Sequence, residues 1–331
     1  MDAFEKKTLK TTRGYVYTYY TIDGDNSLPT LFFQHGWPDN AELWKDVAPP
    51  LSATKHPIIV PDLLGYDGTD KPTDPAEYRW DRMLPDLIEI ADKENASKLI
   101  SIGHDMGAAC ANHLTCYYPD RVVGLINVNV PYAPPQRQPF DLDAFNDMAE
   151  KTYGRPLFAY WHVYAADDGP EVLKQNLDRL YDVLHAEGLN LWEFMCVYDA
   201  LRNYLTKGGR PLTLRPYARD PAYRKAFIDR LSRDGFEGPQ CWYLARRYNH
   251  QYEADRKLPA DRDKVNVPVL FVGGKEDSVC RPEPLAQLVE RGLLPELEQK
   301  PLLNAGHWTP LEVPEELVAN IEPWLKKHYS H

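Results

Sequence analysis

No apolar run in this chain approaches the ~18 residues of a membrane span. The first residues, Met1-Asp2-Ala3-Phe4-Glu5-Lys6-Lys7, also lack the apolar centre of a signal peptide. Excess positive charge is missing as well. With 38 Lys and Arg against 49 Asp and Glu, the formal charge is −11, which repels nucleic acid and anionic lipid surfaces, so neither nucleic acid nor membrane is expected as a partner. The five cysteines, Cys110, Cys116, Cys196, Cys241 and Cys280, are odd in number and match neither a disulfide framework nor a metal-ligand spacing. These absences predict no metal, no other cofactor, a reducing compartment and a cytoplasmic protein. Internal repeats and low-complexity tracts are absent too. What remains is a 331-residue chain long enough to bury a sizeable core.

What is present is a change of pattern along the chain. Up to about residue 132, strand signals at Gly14-Tyr20, Thr30-Gln34, Pro57-Val60, Leu99-Ile102 and Val122-Val128 alternate with helix signals over Trp80-Asp92 and Met106-Tyr118. Apolar strands alternating with helices predict a parallel sheet covered on both faces, an α/β fold. From 133 to 260 the strand signal disappears, and long helical stretches such as Pro170-His185 and Leu191-Leu205 take its place behind the proline-rich 131–139. Strands return at Val269-Val272 and near Leu297-Leu303, and Pro314-Lys327 closes as a helix. The expected organisation is a core, 1–132 and 261–331, interrupted by a helical cap, 133–260. The basic stretch from Arg202 to Arg224 is read as a solvated helical face.

Gly103-His104-Asp105-Met106-Gly107 follows an apolar strand and opens a helix, which makes it a G-x-nucleophile-x-G elbow with aspartate in the nucleophile's place. That residue type selects the chemistry. A carboxylate with a reference pKa of about 3.9 is an anion near neutral pH and displaces a leaving group from saturated carbon without a base. The product is an ester that water can cleave, whereas serine attacking the same carbon would leave an ether. C–O or C–halogen cleavage is therefore favoured over acyl transfer. Loops at the carboxyl ends of two later strands carry Asp277 and His307, so the order along the chain is nucleophile, acid, histidine.

On these motifs the chain resembles the soluble epoxide hydrolases of the α/β-hydrolase superfamily over nearly its whole length. The resemblance is carried by His35-Gly36-Trp37-Pro38, the Asp105 elbow, Gly273-Gly274-Lys275-Glu276-Asp277, Ala305-Gly306-His307-Trp308-Thr309 and Gly238-Pro239-Gln240-Cys241-Trp242-Tyr243. It implies an α/β-hydrolase core with a mostly parallel sheet and an inserted helical cap, and a small-molecule epoxide and water as partners. Asp105 would form a covalent ester, and His307 with Asp277 would activate the water that cleaves it. Tyr160 and Tyr243 would activate the epoxide oxygen, and backbone N–H groups of Trp37 and Met106 would hold the oxyanion. His35, Trp161 and Trp308 are expected to line the substrate pocket. Oligomeric state is left open, a homodimer among the options.

Plainer readings stand beside these. Glu276 neighbours Asp277 and can supply the carboxylate instead. Asp62 reads as structural, His104 and His113 as packing, and Tyr160 and Tyr164, at helical i, i+4 spacing, as cap core without the resemblance. Met106 also departs from the tryptophan that commonly follows the nucleophile in epoxide hydrolases. An aspartate-nucleophile dehalogenase is the nearest rival, although Met106 and Ala109 occupy the places where fluoroacetate dehalogenases carry arginines to clamp a carboxylate. A ligand-binding receptor on the same scaffold is the rival from another class.

Overall fold

The computed structural model describes residues 1–188 and 190–329. Eight strands form one sheet: β1 (Glu5–Lys10), β2 (Val16–Ile22), β3 (Thr30–Gln34), β4 (Ile58–Pro61), β5 (Leu99–His104), β6 (Val122–Val128), β7 (Val269–Val272) and β8 (Leu297–Gln299), in the spatial order β1-β2-β4-β3-β5-β6-β7-β8. β2 runs antiparallel to both β1 and β4, and every later pairing is parallel. Every residue of β3, β4, β5 and β7 is buried, as expected where helices cover both faces of a parallel sheet. Full burial of each large aliphatic or aromatic side chain there contributes about 1.5–3 kcal/mol.

β3 and β5 are neighbours, with Gln34 paired to Gly103, and the chain order reverses between them. This is the point in a doubly wound sheet where a crevice opens beyond the strands' carboxyl ends. The loop after β3 carries Trp37 and the loop after β5 carries Asp105, so adjacent strands bring together two segments far apart in sequence.

Between β6 and β7 the described residues form helices and loops, with one isolated bridge, Ala186 to Leu214. The predicted helix Pro170-His185 is two helices, Gly169–Gln175 and Leu177–Leu184, because Asn176 departs from helical angles (φ −127, ψ 36). Leu191-Leu205 is likewise split into Asn190–Met195 and Ala200–Lys207, with Asp199 in the left-handed region. Three further helices, Leu142–Tyr153, Pro221–Asp234 and Glu237–Arg247, complete most of this layer. β1 has no counterpart among the predicted strands. Its sequence, EKKTLK, lies at the sheet edge with no buried residue, so no apolar alternation marks it. No helix among the described residues is long and apolar enough to cross a membrane.

Candidate active site

Asp105 occupies the turn between β5 and the helix Met106–Tyr117, with φ 53 and ψ −126. Such a conformation is strained for a residue with a Cβ and persists only when its surroundings enforce it. Flanking glycines make the turn possible: a Cβ on Gly107 would lie 2.2 Å from the Gln34 carbonyl oxygen, and one on Gly36 would lie 2.3 Å from the Asp105 Cβ. The strand, the turn and the HGWP loop are thus packed backbone to backbone, and the Asp105 carboxylate projects from the crest.

Its two oxygens face different partners. The Trp37 backbone N–H donates to Oδ1 at 2.9 Å, while Oδ2 faces His307 Nε2 at 3.4 Å. Burial works against the charge, but His307, His104 and the Met106 backbone N–H outweigh it and hold Asp105 below the ordinary aspartate range. The helix N-terminus acts in the same direction.

His307 Nδ1 is 2.7 Å from Asp277 Oδ2. Asp277 is itself fixed by the Val279 and Cys280 N–H groups on Oδ1, at 3.1 and 2.9 Å, and by the Asn129 amide on Oδ2 at 2.9 Å. Burial alone would raise its pKa; His307 and these donors bring it down to about 2. Burial lowers and the carboxylates raise the proton affinity of His307, and the carboxylates win, leaving it well above the ordinary histidine value. Glu276 is not the partner. Its carboxylate takes Arg215 Nη2 at 2.7 Å, and Arg215 Nη1 also reaches the partly buried Glu312 at 2.6 Å.

Above these groups lies a cleft. Asp105 and His307 are at its base, Trp37, Trp308 and three tyrosines, Tyr160, Tyr164 and Tyr243, form polar-edged walls, and Leu184, Leu191, Met195 and Val279 complete an apolar lining. Tyr160 and Tyr243 approach with ring centroids 6.2 Å apart, and Tyr164 lies between them, 5.0 and 5.3 Å from each. Burial first, then the Asp105 charge on Tyr160 and the neighbouring phenols and Asp105 on Tyr164 and Tyr243, push all three pKa values well above that of free tyrosine. They are neutral donors near neutral pH. Tyr164 Oη is buried with no hydrogen-bond partner. Sequence reading placed Tyr164 in the cap core, because i, i+4 spacing from Tyr160 does not say which face meets the cleft.

Two expected pocket residues are elsewhere. His35 is fully buried below the loop, its Nδ1 on the Gly36 carbonyl at 2.9 Å and its Nε2 accepting from the Leu63 N–H at 2.9 Å. Burial lowers its pKa to about 3, so it is a neutral ring that shapes the HGWP turn. Trp161 is stacked on Phe158 at 4.9 Å and set edge-on to Tyr243 at 4.9 Å, behind the cleft wall. Trp308 does line the cleft and gives its indole N–H to Asp39 at 2.9 Å. His104 does more than pack, since its Nε2 lies 2.7 Å from the His307 carbonyl. His113 ties the helix after Asp105 to Asp255, 3.0 Å away, and the buried Asp62 accepts from the Ala41 N–H at 2.8 Å. Asn129 went unnoticed in the sequence because nothing near it marks a contact with residues 277 and 306.

Comparison with known proteins agrees with this architecture. The chain is 24% identical over 303 residues to bifunctional epoxide hydrolase 2 of Sus scrofa, covering 90% of this chain and 51% of that protein, so it spans about half the length of that relative. It is 26% identical over 304 residues to epoxide hydrolase srdG of Neurospora crassa, covering 90% and 86%. The crystal structure of epoxide hydrolase A from Mycobacterium thermoresistibile superposes with a TM-score of 0.79 over 99% of both chains at 22% identity, a likeness of fold. The family model described as alpha/beta hydrolase fold matches residues 29–314, and the chain belongs to that family.

Proposed function

We propose that this chain is an epoxide hydrolase that opens an organic epoxide to a vicinal diol, with residues 133–260 as a cap over the core. The observation that carries the reading is the pair of partners on Asp105: Oδ1 held by the Trp37 backbone N–H and Oδ2 facing His307 Nε2, beneath a wall of neutral phenols. The names of the relatives support the same substrate class.

In the first step Oδ2 attacks an epoxide carbon, the C–O bond breaks, and the oxygen takes a proton from a cap phenol. Tyr160 and Tyr243 carry this role as the resemblance implies, and Tyr164, with an unengaged hydroxyl, joins them. Esterification removes the Asp105 charge, one of the two anions that raise His307. The imidazolium then releases its proton toward the phenolate and becomes able to accept one from water. That water attacks the ester carbonyl carbon, the Trp37 and Met106 N–H groups receive the oxyanion, and the diol leaves as Asp105 is restored.

A C–halogen substrate is the second reading, and the cleft favours it less. Trp308 Nε1 is committed to Asp39, and the Trp161 ring is outside the lining, so neither indole N–H is offered to a departing halide. A cytoplasmic site of action accords with five unpaired cysteines. The deciding experiment is a parallel screen of uncharged epoxides and haloalkanoic acids: diol formation from epoxides is expected, and halide release without diol would overturn the proposal. Stoichiometric binding with no turnover of any substrate would support the receptor instead.

A further inference from the structure

A side chain that this chemistry leaves unused lies against the triad. Cys280 is on the turn whose N–H groups hold Asp277, and its Sγ is 3.8 Å from His307 Nδ1. That nitrogen is 2.7 Å from Asp277 Oδ2. A thiol sulfur, an imidazole nitrogen and a carboxylate oxygen, one from each residue, all lie within 4.8 Å of one another.

Zinc bound tetrahedrally has Zn–S near 2.3 Å and Zn–N or Zn–O near 2.0–2.2 Å, which sets its donors roughly 3.2–3.7 Å apart. The separations of 3.8 and 2.7 Å fall either side of that spacing, and all three donor atoms lie within 4.8 Å of one another, so side-chain shifts of about an ångström would gather them around an ion. Mixed sulfur, nitrogen and oxygen donors suit zinc and its softer neighbours and do not suit magnesium or calcium. The outer shell is also in place: Asn129 donates to Asp277 at 2.9 Å, and His307 Nε2 faces Asp105 Oδ2 at 3.4 Å. A carboxylate on the far nitrogen is the usual support of a metal-bound histidine.

We propose that Asp277, Cys280 and His307 form an inhibitory site for a thiophilic divalent cation of the zinc class. Binding replaces the thiol proton of Cys280 and the Nδ1 proton of His307, both released to solvent, and involves no change of oxidation state. The remaining imidazole proton is then on Nε2, the nitrogen that must accept one from water, so a metal-loaded site cannot hydrolyse an ester on Asp105. The inhibition rests on the epoxide hydrolase reading; the metal site does not.

The test begins with metal-stripped, reduced protein titrated with Co2+. Wild type should develop a near-ultraviolet thiolate-to-cobalt charge-transfer band that saturates at one equivalent and is erased by one equivalent of Zn2+. Cys280→Ala and Cys280→Ser, which keep the backbone N–H on Asp277, should lack the band and need at least ten-fold more Zn2+ for half-inhibition. No band in wild type, or the same band in folded variants, overturns the site. Equal Zn2+ sensitivity of wild type and variants overturns the inhibition. The optical arm needs no substrate, so it reports even if the chain acts on something other than an epoxide.

Discussion

Trp308 turns its ring to the cleft above Asp105 and its indole N–H to Asp39, 2.9 Å away on the loop that follows β3. Asp39 is 5% exposed, and burial raises its pKa to about 6 despite that hydrogen bond. The ordinary aspartate value is about 3.9. The folded chain therefore keeps a proton that the unfolded chain releases across this window. Its stabilising contribution is complete below about pH 4 and is lost as pH rises to about 6. Asp39→Asn should abolish that decline, so that between pH 4 and 7 the variant gains about 2–3 kcal/mol relative to wild type. Urea unfolding at the two pH values checks this, and an unchanged difference would mean that Asp39 is ionised throughout.

The split of roles between Asp105 and His307 predicts two different failures. Asp105→Ala should form no diol, and retained turnover would mean direct attack by water. His307→Gln should still open the ring but stall at the ester, so intact-mass measurement after incubation with a substrate should find the chain heavier by one substrate. An unmodified mass would contradict the order of steps.

Three phenols in one cleft call for variants taken separately and together. Tyr160→Phe combined with Tyr243→Phe should slow ring opening by roughly 10²-fold or more. Tyr164→Phe alone should slow it by about ten-fold, because its hydroxyl has no partner to lose in the free site. Pre-steady-state alkylation rates are the measurement, and a rate unchanged in Tyr164→Phe would make that residue a wall and nothing more.

Asn129 holds both Asp277 Oδ2 and the Gly306 carbonyl, at 2.9 and 3.0 Å, and accepts from Thr309. Asn129→Ala should destabilise the fold by about 1–3 kcal/mol, the usual cost of stranding buried hydrogen-bonding groups. It should also slow ester hydrolysis more than ester formation. Equal effects on the two steps would reduce Asn129 to a purely structural group.

Much of this was legible without coordinates. β3, β6 and β7 fall on the predicted residues, and the helices beginning at Trp80 and Met106 start where expected, because buried strands and a glycine-flanked elbow leave strong local signals. β1 did not show, since an exposed edge strand needs no apolar face, and no local breaker residue such as Pro or Gly marked the departures from helical angles at Asn176 and Asp199.

The amino-acid order by itself determined that a carboxylate stands on a turn that only flanking glycines permit, which is a matter of local sterics. Tertiary structure alone decided that Asp277 and not Glu276 meets His307, that Tyr164 faces the cleft while His35 and Trp161 do not, and that Cys280 comes to rest beside the imidazole. Those outcomes are set by the direction of each side chain once distant loops have packed, and no spacing along a chain encodes that direction.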